Sequence, residues 1–231
     1  LPESLNAREC LFSTRRGWLW TPVGLPVRLR RDAVDVFHAP YLVPPLSPCP
    51  SVVTIHDLAF RLLPECRLQS RGNLRSALIT LSARRARAVI TDSEWSRGDL
   101  VRLLGLSPQK VHVVPLAPAA HFTPGDVTAA RQRVHERLGV EPPIILAVGY
   151  SSPRKNIPRL LEAVATGPQP ALREATVVIV GRPAGGGAEA LRERFPTLTD
   201  RLVFTDWISQ DDLVALYRAA NVLAFPSLYE G

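Results

Sequence analysis

The chain has 231 residues, 46% of them hydrophobic and 21% charged, with a formal net charge of +7. That balance excludes a disordered chain, and the length allows one large domain or two small ones. No apolar run approaches the roughly 20 residues a membrane-crossing helix needs, and Leu1–Cys10 lacks the continuous apolar core of a secretion signal.

Short apolar strands alternate with helical patterns along the chain. Val34–His38 and Val52–His56 read as strands, with the proline-rich loop Pro40–Pro50 between them. Asn73–Arg87 reads as a helix, and Leu74, Leu78 and Leu81 at i, i+4, i+7 predict its buried face. Ala88–Thr91 reads as a strand. Ser93 is placed to cap a helix over Glu94–Leu104 that stops near Gly105. Val111–Val114 is another strand. Pro115–Gly125 holds three prolines and no periodicity, which predicts a linker between two α/β halves, 1–121 and 122–231.

In the second half, Asp126–Leu138 reads as a helix ended by Gly139. Ile144–Gly149 is a strand, Ile157–Ala165 a helix and Ala175–Gly181 a strand. The run Gly185–Gly187 leads into a helix over Ala188–Phe195, followed by a strand at Leu202–Thr205. Ser209 with Asp212 resembles a capping box opening the helix Asp211–Ala220, and Val222–Pro226 is the last strand. Strands alternating with helices predict parallel sheets covered on both faces.

Charge is uneven. Of the 28 basic residues only Lys110 and Lys155 are lysines, and residues 1–110 carry the whole net surplus of +7. An anionic partner for that half is one reading and solvated arginine-rich helices are the other. Nucleic acid is disfavoured, because no recognition motif accompanies the arginines. Cys10, Cys49 and Cys66 form no C-x-x-C pair, which predicts reduced thiols in a cytoplasmic protein. His112, His121 and His135 show no metal-ligand spacing.

Ligands of open parallel sheets collect at the carboxyl ends of strands, so the residues there are the candidates. His56 and Asp57 end one strand. Gly149–Asn156 (GYSSPRKN) follows another and places Arg154 and Lys155 before a helix start, a suitable cradle for a diphosphate. Gly181 follows a third strand, and Tyr229 with Glu230 follows the last. No P-loop, G-x-G-x-x-G or G-x-S-x-G pattern occurs.

These segments resemble the group 1 glycosyltransferases, in the family's order. They are DVFHAP at Asp35–Pro40, VVTIHDLAF at Val52–Phe60, ITDSEWSRGDL at Ile90–Leu100, VHVVPLAP at Val111–Pro118, AVGYSSPRKN at Ala147–Asn156, and DLVALYRAANVLAFPSLYEG at Asp212–Gly231. The resemblance implies the GT-B fold: two Rossmann-like domains, the first facing the acceptor and the second holding a nucleotide-sugar. It implies transfer of a sugar with retention, with His56 and Glu230 as catalytic residues. Gly149, Arg154, Lys155, Asn156, Gly181, Ile208 and Tyr229 become donor-binding residues. It implies no metal and no cofactor beyond the co-substrate.

The partners so implied are a nucleotide-sugar and a glycan or lipid-linked acceptor, with peripheral contact at an anionic inner membrane face. The alternatives are a GT-B nucleotide-sugar epimerase and a non-catalytic nucleotide-binding remnant. Tyr150 departs from the pattern where some members carry Arg, as does Asp206 where Gly is usual. The chain contains no Met, and it lacks the first strand with its Gly-rich loop and the second glutamate of the motif. The expectation is a segment cut at both ends, each domain partly present, inactive by itself.

Overall fold

The computed structural model describes residues 20–63, 72–149, 152–181 and 187–231. Cys10, Cys66, Tyr150, Gly185 and Gly186 lie outside them. The described residues fall into two compact units, one drawn from Leu1–Leu58 and Asn73–Pro115, the other from Ala59–Gly72 and Leu116–Gly231. The last passage from one to the other falls between Pro115 and Leu116.

The first unit is a parallel sheet of four strands in chain order: β1 (Phe37–Pro40), β2 (Ser51–Thr54), β3 (Ala88–Thr91) and β4 (Val111–Val113). Its helices are α1 (Leu25–Arg31), α2 (Gly72–Arg85) and α3 (Glu94–Leu104). Val53, Ile55, Ile79, Val89 and Leu100 are buried at its centre, each 1% exposed or less. Ser93 caps α3, its hydroxyl accepting the Ser96 amide at 2.9 Å, and Gly105 closes the helix at φ 66°.

Two expectations change here. β1 begins at Phe37 and not Val34, because Ala33 turns left-handed (φ 49°) after α1 and the Val34 amide is tied back to Leu29 O. Residues held at a helix end cannot also pair with β2. On α2, Leu74, Leu78 and Leu81 are 71%, 39% and 40% exposed, so they do not form the buried face. Ile79, Ser82, Ala83 and Ala86 do, each 4% exposed or less. Small residues let the helix lie close to the sheet, and the Ser82 hydroxyl accepts the Val43 amide at 3.0 Å. The two stripes have equivalent helical spacing, so periodicity alone could not choose between them.

The second unit holds β5 (Ile144–Val148), β6 (Thr176–Val180), β7 (Leu202–Thr205) and β8 (Val222–Leu223), all parallel, in the order β7-β6-β5-β8. Strand alternation sorts its core into two faces. Ile145, Ala147, Val177 and Ile179 pack against α5 (Ile157–Thr166) and α6 (Gly187–Arg194). Ile144, Leu146, Val178 and Val180 pack against α4 (Val127–Leu138) and α7 (Gln210–Ala219). An apolar layer on each side explains why β5 and β6 read as continuous hydrophobic runs.

Asp126 caps α4, accepting the Thr128 and Ala129 amides at 2.8 and 3.1 Å. Ser209 caps α7 by accepting the Asp212 amide at 3.1 Å. The Asp212 carboxylate, however, takes the Ser209 hydroxyl and the Arg133 guanidinium of α4, so it bridges two helices instead of closing a capping box. The last strand stops at Leu223, before Pro226, which has no amide to give to a ladder.

Candidate active site

Strand order creates the site in the second unit. The chain runs outward from β5 to β6 and β7, then returns to place β8 on the other side of β5. The carboxyl ends of β5 and β8 are therefore a switch point of the strand order, the kind of place where open parallel sheets bind ligands. Gly149, at φ 88°, ends β5, and its amide donates to Val180 O at 2.7 Å. A Cβ there would stand 3.2 Å from Lys155 Cε, so glycine serves both the left-handed turn and the close passage of the lysine stem.

Pro153–Lys155 then forms one 3-10 turn, opened by the Ser152 hydroxyl accepting the Arg154 amide. Asn156 is left-handed (φ 54°) and begins α5 without capping it, since its Nδ2 donates instead to Pro226 O at 3.1 Å.

That bond is one of several fastening the segment after β8 to this turn. The Leu228 amide donates to Arg154 O at 2.9 Å, and Arg154 Nη1 donates to Tyr229 O at 2.9 Å. Arg154 also pairs with the Glu230 carboxylate, whose other oxygen accepts Lys155 Nζ at 2.9 Å. The Lys155 ammonium stands 4.7 Å from the centre of the Phe225 ring, a cation–π contact. Burial raises the pKa of Glu230. The Ser227 hydroxyl, the bonds from Lys155 and Arg154 and the Arg154 charge lower it by more, leaving it below the usual carboxylate range. Ser227 Oγ itself is buried and makes no hydrogen bond of regular geometry.

The other candidates of this unit sit along the same carboxyl rim. Gly181 (φ 125°) ends β6, its amide donating to Thr205 O at 3.2 Å. Ile208 follows β7 and is half-buried against the core on the α4 and α7 face. The sheet thus sets Ile208, Gly181, Gly149 and the Arg154–Lys155–Glu230 cluster side by side in strand order.

His56 belongs to the first unit. It follows β2, and its Nδ1 lies 2.7 Å from Asp92 Oδ2, just after β3. The Tyr41 ring meets the imidazole edge-on, with centroids 5.7 Å apart. Tyr41 adopts φ 58°, a left-handed conformation costing a non-glycine residue about 1–2 kcal/mol. His38 Nε2 instead lies 2.7 Å from Thr54 Oγ1.

Sequence reasoning missed Asp92, Tyr41 and Phe225. Only Asp92 left a signal: its offset from His56 matches the offset between β2 and β3. Among the described residues, no three His, Cys, Asp or Glu side chains gather as a metal-binding group.

Two further concavities lie away from these clusters. An apolar one of about 660 Å³ is lined by Phe122, Pro124, Val214 and Tyr217, with Arg218 bonded to Thr123 O. A polar one of about 710 Å³ lies at the amino ends of β2, β3 and β4, lined by Arg85, Arg87 and Lys110 and no carboxylate.

Comparison with known proteins adds the following. Residues 6–117 match the model of Glycosyltransferase Family 4, and residues 129–231 match that of Glycosyl transferases group 1. O-antigen chain mannosyltransferase B of Escherichia coli is 24% identical over 100% of this chain and 58% of its own length. A D-inositol 3-phosphate glycosyltransferase of Streptomyces bingchenggensis (strain BCW-1) is 38% identical over 62% of this chain and 33% of its own. The chain therefore spans little more than half the length of the first of these relatives and a third of the second.

Among solved structures, WaaG, a glycosyltransferase involved in lipopolysaccharide biosynthesis, aligns with a TM-score of 0.69 at 18% identity, over 95% of this chain and 61% of its own. HepE of Anabaena, solved with UDP and glucose, aligns with a TM-score of 0.64 at 18% identity, over 93% of this chain and 59% of its own. These likenesses establish the GT-B fold.

Proposed function

The chain belongs to the group 1 glycosyltransferases, and from that premise we propose that it transfers a sugar, with retention, from a nucleotide-sugar to a glycan or lipid-linked acceptor. One observation carries the reading: Arg154, Lys155 and Glu230 meet at the switch point between β5 and β8. A diphosphate suits that place. The start of α5 adds the positive end of a helix dipole beside two cations, although Pro158 has no amide and those of Arg159 and Leu160 go to Asn156 O.

As the bond between sugar and diphosphate breaks, negative charge builds on the leaving oxygen. Lys155 and Arg154 stabilise that charge where it develops, and in this reading no metal is required for it. Arg154 has a second task, since it also holds the backbone of Tyr229. Lys155 is thus the cation freer to follow the phosphate. Glu230 pairs with both cations here; once a diphosphate takes them, its carboxylate turns to the hydroxyls of the sugar.

The donor class is supported by HepE, solved with UDP and glucose. The acceptor class is supported by the O-antigen chain mannosyltransferase and by WaaG, named for lipopolysaccharide biosynthesis. Peripheral contact with an anionic membrane face is supported by α2. That helix exposes Leu74, Leu78 and Leu81 beside Arg75, Arg84 and Arg85. No described helix is long and apolar enough to cross a membrane.

Calorimetric titration with UDP-glucose and GDP-mannose tests the donor reading. The expected result is binding of at least one, with a dissociation constant of about 1 mM or tighter, weakened about tenfold or more by Lys155→Ala. Binding of neither, or equal binding by the variant, overturns it.

A further inference from the structure

Three stretches of the first unit, 36–56, 73–91 and 100–115, contain no Asp or Glu. All three contribute to the cavity of about 710 Å³ at the amino ends of β2, β3 and β4. Arg85, Arg87 and Lys110 line it, the half-buried Cys49 stands in its wall, and no carboxylate does.

Backbone carbonyls set these segments in place. Arg85 Nη1 donates to Pro45 O at 2.7 Å, which ties the proline-rich loop to the end of α2. Lys110 Nζ donates to Arg84 O at 2.6 Å, and the Arg87 amide donates to Ser51 O at 2.7 Å. None of these acceptors carries a formal charge, so they orient the cavity wall and leave its positive charge standing. Burial without a carboxylate to offset it lowers the pKa of Lys110.

The cavity adjoins an apolar stripe. Leu74, Leu78, Leu81 and Arg85 recur at i, i+4, i+7 and i+11, which is one face of α2. The three leucines are exposed and the fourth position belongs to the cavity. Leu46, between the lining residues Pro45 and Ser47, is 72% exposed.

We propose that this cavity takes the phosphate of an anionic phospholipid headgroup while the leucines of α2 enter the lipid beside it. The inference rests on the membrane contact of α2 and adds a headgroup site to it. An ionised phosphodiester only accepts hydrogen bonds, and guanidinium and ammonium groups only donate them. A soluble anion would match the charge but leave the leucines in water. Lipid matches both, and insertion of the leucines raises the local concentration of headgroups at the cavity. A nucleotide diphosphate has no apolar chains and gains nothing from the stripe.

Sedimentation of the whole chain with vesicles of phosphatidylcholine and phosphatidylglycerol tests the site through cations that lie off α2. Arg87→Gln combined with Lys110→Gln is expected to weaken binding about tenfold or more. Arg30→Gln combined with Arg31→Gln removes the same charge from α1 and is expected to weaken it far less. Equal loss in the two variants makes the attraction diffuse and overturns the cavity, as does undiminished binding by the first. Either result leaves the contact of α2 standing if the leucine variant still loses binding. Failure of wild type to bind these vesicles overturns the membrane contact and the cavity with it.

The Cys49 thiol reports occupancy without any variant. Its alkylation by iodoacetamide, read by mass spectrometry of the peptide that holds it, is expected to slow in proportion to the fraction of chain bound to vesicles. Free inorganic phosphate is expected to leave the rate unchanged. Equal rates with and without bound vesicles overturn the proposal. Equal slowing by phosphate alone assigns the cavity to a soluble anion and overturns the lipid occupant.

Discussion

Glu230 faces more positive charge than one carboxylate can balance. Lys155 and Arg154 each hold one of its oxygens, and its pKa lies below the usual range despite partial burial. A group whose folded pKa is depressed adds stability that is fully present above its unfolded pKa, about 4.3 for Glu, and is lost as pH falls through the folded value. Glu230→Gln is therefore expected to melt below wild type by a constant margin from neutral pH down to about pH 5. The margin should shrink at lower pH, and thermal melts across that window check it. A margin that stayed constant into the acid range would show that the carboxylate charge contributes nothing. At this scale the sequence was readable where a motif marked the residue, as with Lys155 in PRKN and Glu230 in PSLYEG. Phe225 was not readable, because its contact with Lys155 depends on where β8 lands beside β5.

At the scale of elements, caps were the most legible features. Ser93, Gly105 and Gly139 end helices where their chemistry places them, the two glycines at φ 66° and 65°, whereas Asp126, read as the first residue of its helix, is the cap. Faces were less legible. Helix α2 carries two stripes of equivalent spacing, and the sheet accepted the smaller one, Ile79, Ala83 and Ala86, leaving the leucines outside. That outcome gives the membrane contact a specific test. The chain is expected to sediment with vesicles rich in phosphatidylglycerol and not with neutral phosphatidylcholine ones. Replacing Leu74, Leu78 and Leu81 together by Ser should weaken that binding about tenfold or more, as buried apolar area is lost from the lipid interface. Since all three are exposed, the fold should persist. Undiminished binding by the triple variant would remove α2 from the contact.

At the scale of the molecule, the alternation of strands and helices already specified parallel sheets. Strand order was not legible. Nothing local in Val222–Leu223 says that it lies against β5 and not against β7, yet that placement brings Pro226–Glu230 onto the Arg154–Lys155 turn. The register between β2 and β3 likewise joined His56 to Asp92 from distant parts of the chain. Both clusters are consequences of topology acting on residues whose types alone were ambiguous.

The central claim is that the Arg154–Lys155 turn, at the switch point between β5 and β8, receives the diphosphate of a nucleotide-sugar. Titrating UDP or GDP into the 15N-labelled chain and following each backbone amide tests it most directly. The account predicts shifts concentrated at Gly149, Ser152, Arg154–Asn156, Gly181 and Ser227–Glu230, with the amides of Arg85, Arg87 and Lys110 unmoved. Shifts centred on those three cations at the other end of the first sheet, or no shift at saturating nucleotide, would contradict it.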